Sequence, residues 1–146
     1  MLHTRGLDAL KRVPPSAVMT VGNFDGVHLG HTRLLERCRE LSRDELPIVA
    51  VTFEPHPLTR LKPNLAPPRL TPPAIKAAML EQLGVDILVE LPPDPEVLSI
   101  SAREFFELIC RQLRVRHLVE GPDFNFGKGR EGNMRNLRAW SEGTGM

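Results

Sequence analysis

Ala17-Val18-Met19-Thr20-Val21, followed at once by Gly22-Asn23-Phe24-Asp25-Gly26-Val27-His28-Leu29-Gly30-His31, is the stretch on which the fold turns. Its first five residues form a nearly continuous apolar run that stops at a glycine, the pattern of a strand buried on both faces. Three glycines in the ten residues that follow allow a backbone to approach a ligand closely. Beyond them Leu34, Leu35, Cys38 and Leu41 recur at helical spacing, with Arg33, Glu36, Arg37 and Glu40 between them. Strand, glycine-rich turn and helix in this order begin a βαβ unit.

The same alternation continues along the chain. Ile48-Val49-Ala50-Val51-Thr52-Phe53 reads as a second buried strand, stopped by Pro55 and Pro57. A proline-rich loop runs to about Pro73. Ile75, Met79 and Leu83 then mark a helix closed by Gly84, where glycine favours the end of a helix. Ile87-Leu88-Val89-Glu90-Leu91 is a third strand that Pro92-Pro93 forbids from extending. Ser101 and Glu104 have capping-box spacing ahead of Phe105, Phe106, Ile109 and Leu113. His117-Leu118-Val119-Glu120 reads as a short fourth strand, and Asn136 to Trp140 as a last helix. The expected fold is α/β, a parallel sheet of about four strands with helices on both faces, in a single domain spanning 1–146. Ligands of such sheets sit beyond the carboxyl ends of the strands, so the loops after the strands carry the chemistry.

Composition narrows the function classes. The chain has 146 residues, 41% hydrophobic and 25% charged, an ordinary globular balance. Its 19 basic and 18 acidic residues leave no field to hold a nucleic-acid backbone. No apolar run is long enough to span a bilayer, and the N-terminus lacks a secretory signal. Only Cys38 and Cys110 are present, without C-x-x-C spacing, so a reduced, cytoplasmic setting is expected rather than a disulfide scaffold. The 14 prolines, against roughly 7 from average usage, terminate strands and stiffen the long loop.

The loop at 22–31 points to an anion. A helix beginning near Gly30 offers unpaired N–H groups and a positive dipole end. His28 and His31, three apart at a helix start, face the same way. Imidazoles there can donate to phosphate oxygens and stabilise charge that grows in a transition state. The other readings are a tight turn with incidental histidines, or half of a metal site. Zinc would need further ligands, and no Cys or His cluster offers them. Between Pro55 and Leu80, Arg60, Lys62, Arg69 and Lys76 occur with no acidic residue, where a phosphate-rich ligand would benefit.

These residues carry a resemblance. Gly22 to His31 resembles the H-x-G-H signature of the nucleotidylyltransferase superfamily, in the G-N-F-D-G-V-H-x-G-H form of prokaryotic FAD synthetases. Thr52-Phe53-Glu54-Pro55-His56-Pro57 is similar to that family's T-F-[ED]-P-H-P segment. Leu70-Thr71, Lys76 and Leu83-Gly84-Val85-Asp86 resemble its central helix. Gly121-Pro122-Asp123-Phe124-Asn125-Phe126-Gly127, with Arg130 and Gly132, resembles its G-x-D-F-x-F-G-x-x-R-x-G loop. The four segments stand in the family's order.

The resemblance implies a Rossmann-like nucleotidylyltransferase fold and adenylyl transfer from ATP to FMN, giving FAD and pyrophosphate. His28 and His31 would be catalytic, holding the ATP phosphates. Gly22, Asn23, Phe24, Asp25, Gly26, Gly30 and Asp123 would complete the ATP site. Asn23, Phe53, Pro55, His56, Pro57 and Phe126 would border the flavin. Mg2+ would arrive with ATP, and no metal ligand is assigned to the chain itself. Transfer to an oxygen that is already anionic needs positioning and charge stabilisation rather than a general base.

Two look-alikes are set aside. Gly127-Lys128-Gly129-Arg130-Glu131-Gly132 satisfies G-x-G-x-x-G, but it does not follow its strand directly and lacks the acidic residue about 20 positions on; it reads as a mobile basic loop. Ser99-Ile100-Ser101-Ala102-Arg103 is similar to the superfamily's second motif, S-S-T-x-I-R, but precedes the fourth strand, and Ser101 is better explained as a helix cap. The family's order places that second motif after the D-F-x-F-G loop, beyond Met146. The expectation is therefore a C-terminally truncated domain without a riboflavin kinase domain. The alternative function is a catalytically impaired nucleotide- or flavin-binding remnant or fragment.

Overall fold

The computed structural model describes residues 1–146. In chain order the elements are β1 (Leu2–Arg5), β2 (Val18–Gly22), α1 (Leu29–Ser42), β3 (Ile48–Phe53), α2 (Leu58–Leu61) and α3 (Pro73–Gln82). There follow β4 (Ile87–Leu91), α4 (Pro95–Leu98), α5 (Ala102–Glu107), β5 (His117–Leu118), β6 (Asn125–Phe126), β7 (Gly132–Asn133) and α6 (Met134–Ser141). A π-helical turn, Leu108–Gln112, prolongs α5.

The first five strands form one parallel sheet in the order β1-β4-β3-β2-β5. β2 and β3 sit inside it in full register from Val18↔Ile48 to Gly22↔Thr52. Adjacent side chains of β2 go to opposite faces, as the pleat requires. Val18 joins Ala50, Leu88, Leu35 and Cys38 of α1, and Leu80 of α3. Met19 joins Val49, Val51, Val89, Val97 and Ile109 on the other side. Helices therefore cover both faces, which explains why these strands are apolar at every position rather than at alternate ones.

The sheet has one strand more than expected. β1, Leu-His-Thr-Arg, is an edge strand with largely exposed residues, so it has no hydrophobic pattern to announce it; it is held by pairing with β4 from Leu2↔Ile87 to Arg5↔Glu90. The fourth expected strand is shorter than 117–120. Val119 N–H still donates to the Met19 carbonyl at 2.9 Å. The next donor on β2, Val21 N–H, is taken by the Glu120 side chain at 2.6 Å instead of a backbone carbonyl. A carboxylate thus ends the ladder.

Ser101 caps α5 as expected: Glu104 N–H donates to Ser101 Oγ at 3.2 Å and Ser101 N–H to Glu104 Oε2 at 2.8 Å. The last helix begins two residues before Asn136, because Asn133 caps it through Arg135 and Asn136 N–H. The G-x-G-x-x-G stretch is packed rather than a free loop. β6 and β7 pair antiparallel around it. Gly127, at φ 77°, lies so close to α5 that a Cβ would fall 2.4 Å from Ala102 N, and one on Gly132 would fall 2.6 Å from the Phe126 ring. These glycines serve packing.

Candidate active site

The carboxyl end of β2 opens into a turn held in an uncommon conformation. Phe24, Gly26 and Val27 have φ of 51°, 74° and 39°. Left-handed geometry costs a phenylalanine and a β-branched valine on the order of 1–3 kcal/mol each. The surroundings over-determine it: Phe24 is fully buried and Val27 nearly so. The turn delivers the chain to α1 with His28 as N-cap, its Nδ1 accepting from Gly30 N–H at 3.2 Å. Because Nδ1 accepts, the proton of the neutral ring sits on Nε2. Gly30 has its own reason here. A Cβ would meet the His28 ring at 3.1 and 3.2 Å, tighter than side chains normally pack.

His31 stacks on His28, with ring centroids 3.7 Å apart and planes 20° from parallel, and lies 5.1 Å from Phe24. Its Nδ1 is buried without a partner. Burial, with His28 beside it and Asp25 acting the other way, lowers the imidazole to about 4. At neutral pH His31 is an uncharged ring with one donor. Two imidazoles therefore stand together at the positive end of a 14-residue helix, as the spacing predicts.

Asp25 stitches this turn to the proline-rich loop. Its two oxygens accept from Leu70 and Thr71 N–H at 2.9 Å each, and Thr71 Oγ1 accepts from Gly26 N–H at 2.8 Å. Burial raises its carboxyl, but the N–H groups of Leu70, Thr71 and Gly26, with Lys76 nearby, more than offset this and hold it below the usual range. Its place among the expected ATP residues is thus at the wall of the cleft, with both oxygens already engaged.

The carboxyl end of β3 supplies the second wall. Thr52 Oγ1 donates to the Asn23 carbonyl at 3.0 Å. Lys76, 3% exposed, reaches from α3 to the Asn23 carbonyl (3.3 Å), Thr52 Oγ1 (3.3 Å) and Glu54 Oε2 (3.1 Å). Glu54 also pairs with Arg69. The Glu54–Pro55 peptide is cis. His56 Nδ1 accepts from Leu58 N–H at 3.1 Å, and burial lowers this imidazole, with Asp25 opposing. Lys76 is the central cation of this wall; in sequence it stands in the basic stretch and in the segment resembling the family's central helix. In α3 it shares the buried face with Ala77 and Leu80, a place where lysine needs a partner.

A cleft runs between these walls. Asn23, Asp25, His56 and Pro67 line its whole length; one lobe adds His28 and His31, the other Phe53, Glu54, Arg69 and Lys76. The structure thus brings Asn23, Asp25, His28, His31, Phe53 and His56 together, over Gly22, Phe24, Gly26 and Gly30, with Pro55 and Pro57 flanking His56 in sequence. It does not bring Phe126 there. Phe126 is 6% exposed and packs with Phe105 (5.2 Å), Phe124 (5.5 Å) and Trp140 (6.4 Å) in a small core with Ala102, Phe106 and Leu137. Asp123 stands exposed in the turn before β6, where its carbonyl accepts from Asn125 Nδ2 at 2.8 Å. Of the basic stretch, Arg69 and Lys76 reach the cleft and Arg60 and Lys62 are exposed outside its lining.

Residues 10–146 match the sequence profile of FAD synthetase. The chain belongs to the FAD synthetase family. It is 40% identical over 133 residues to the Escherichia coli (strain K12) protein named bifunctional riboflavin kinase/FMN adenylyltransferase, which is 89% of this chain and 42% of that protein. It is 36% identical over 124 residues to the FAD synthetase of Listeria monocytogenes serovar 1/2a, 84% of this chain and 50% of that one. The chain spans about half or less of the length of these curated relatives. A crystal structure from Streptococcus pneumoniae, described as a macrolide-efflux protein, superposes with a TM-score of 0.82 at 29% identity, covering 96% of this chain and 55% of that one. The Rossmann-like nucleotidylyltransferase fold of the FAD synthetase family is the parallel sheet with helices on both faces described above. No helix is long and apolar enough to cross a membrane.

Proposed function

We propose that this FAD synthetase domain is an FMN adenylyltransferase, moving AMP from ATP to FMN to give FAD and pyrophosphate. The observation that carries the reading is the stacked His28–His31 pair over the N-terminus of α1. Unpaired helix N–H groups and two imidazoles form a site for polyphosphate. In the reaction an FMN phosphate oxygen bonds to the α-phosphorus, the bond from that phosphorus to the oxygen bridging toward the β-phosphate breaks, and pyrophosphate leaves. The nucleophile is already an anion, so no side chain has to remove a proton. His28, with its proton on Nε2, and neutral His31 act as donors to charge that accumulates on phosphate oxygens.

Mg2+ is read as arriving with the nucleotide substrate, where it would offset phosphate charge, and no side chain of this chain is assigned to it. Cys38 and Cys110 are free thiols, which supports a cytoplasmic setting as part of the same reading. The test is FAD formation from FMN and Mg·ATP, followed chromatographically. The chain is expected to form FAD, and His31→Ala to lose about 10²-fold or more of that rate, the usual cost of one transition-state donor. A folded chain that makes no FAD, or a His31→Ala variant as fast as the parent, would overturn the reading.

A further inference from the structure

We propose that Glu120 is a positioning residue of the active site: its side chain, standing where a backbone carbonyl would, holds the end of β2 from which the His28–His31 turn springs. This rests on that pair being the phosphate site of an FMN adenylyltransferase, and it adds a residue that touches no substrate.

The end of β2 hangs from side chains on both of its edges. Toward β5, the backbone ladder closes with Val119 N–H on the Met19 carbonyl at 2.9 Å. The next donor, Val21 N–H, goes to Glu120 Oε1 at 2.6 Å. Toward β3, the register ends at Gly22↔Thr52, and the Asn23 carbonyl is then held by Thr52 Oγ1 at 3.0 Å and Lys76 Nζ at 3.3 Å. That second hold uses a threonine and a lysine that are both buried. The first depends on one carboxyl alone.

Packing carries the hold to the histidines. Val21 leads into Gly22, and the Phe24 ring lies over Gly22, where a Cβ would meet it at 3.4 Å. Phe24 is fully buried and stands 5.1 Å from the His31 ring, which stacks on His28. When Val21 is released, Gly22 shifts under Phe24, and a close-packed ring passes the displacement to His31. A misplacement of about 1 Å can cost a catalytic group 10²-fold.

The hold also depends on a proton. Glu120 is partly exposed on the edge strand, and no lysine, arginine or histidine pairs with it. The titratable group that faces it is Cys38 of α1, whose thiol burial pushes up to about 12, so it stays uncharged. Burial raises the Glu120 carboxyl well above the usual range, with the Val21 N–H opposing. Neutral Glu120 keeps a carbonyl oxygen for Val21. As pH rises, a charge forms with no counter-ion, and water at the edge draws it off Val21.

The experiment compares the parent chain with Glu120→Gln, which keeps an acceptor and cannot ionise, and Glu120→Leu, which has no acceptor. Exchange of the Val21 amide, by NMR, and FAD formation are followed from about pH 5 to about pH 8. Exchange is expressed as a protection factor, which removes its intrinsic pH dependence. Across that range the parent's Val21 protection and kcat are each expected to fall about fivefold or more relative to Glu120→Gln, roughly the worth of one hydrogen bond. At the acid end the two are expected to agree within about twofold. Glu120→Leu, shown to be folded by its melting curve, is expected to stay at the low value at every pH. Identical pH profiles for the parent and Glu120→Gln would overturn the proposal, as would a folded Glu120→Leu with the parent's kcat throughout. The amide is read without turnover: a folded parent that makes no FAD fails the adenylyltransferase reading, while Val21 protection still decides the hold of Glu120.

Discussion

At Gly30 the missing side chain matters more than any present one. A methyl group there would press on the His28 ring that receives the Gly30 N–H. Alanine is the better helix former by up to about 1 kcal/mol, so Gly30→Ala is expected to melt within a few degrees of the parent. Its Mg·ATP affinity, measured by calorimetry, is expected to fall about tenfold as the ring is displaced, roughly the worth of one hydrogen bond to phosphate. His31 gives a pH signature. Folded His31 stays neutral down to about pH 4, whereas in the unfolded chain it takes up a proton near 6.5. The unfolded state therefore binds protons first as pH falls. The contribution of His31 to stability is complete above about pH 6.5 and is lost between there and about pH 4. A proton NMR titration is expected to place its ring near pH 4 in the free protein and higher once a polyphosphate is bound; a free-protein value near 6.5 would refute the buried setting. Both histidines were legible in the sequence because their relation is local, three residues apart at a helix start. The partners of Lys76 were not, because Asn23, Thr52 and Glu54 come to it from the ends of two strands.

Among the elements, β5 is where sequence pattern and structure part most clearly. Four residues look like strand, yet only His117–Leu118 form one and the last backbone bond is from Val119, because the Glu120 side chain takes the Val21 N–H. Burial pushes this carboxyl well above the usual range, with the Val21 N–H opposing. Folding therefore favours the protonated form, and stability from this group is full below about pH 4.5 and declines as pH rises above it. Glu120→Gln keeps an acceptor for Val21 and removes the titration. The variant is expected to melt higher than the parent at pH 8, with the difference closing toward pH 4.5; an equal gap at both pH values would contradict this. β1 shows the opposite limit. Its residues have no apolar pattern, and only the edge of β4, more than 80 positions away, makes them a strand.

In the molecule as a whole, the two cores on the sheet faces were foreseeable from doubly buried strands, while the third was not. Ala102, Phe106, Phe126 and Leu137 meet from α5, β6 and α6. The flavin role of Phe126 is implied only by the resemblance of residues 121–127 to the family's G-x-D-F-x-F-G loop, and nothing in the local sequence shows that its ring turns into a core. Removing its ring from that small core is expected to cost about 3–5 kcal/mol, a large part of the 5–15 kcal/mol typical of a domain. Phe126→Ala should thus shift the denaturant midpoint strongly while the folded fraction binds FMN as the parent does. A several-fold loss of FMN affinity in folded Phe126→Ala would return this residue to the site.

The stitch between Asp25 and the Leu70–Thr71 backbone has a consequence for how ligands arrive. It joins the turn that carries His28 and His31 to the loop that carries Pro67 and Arg69, so the opposite banks of the cleft are one body before anything binds. Such a preorganised cleft gives up little conformational freedom when a ligand enters, which favours affinity without a closing motion. It also makes Thr71 a tuner of the lobe that holds His28 and His31: cutting its bond to Gly26 would loosen both banks together.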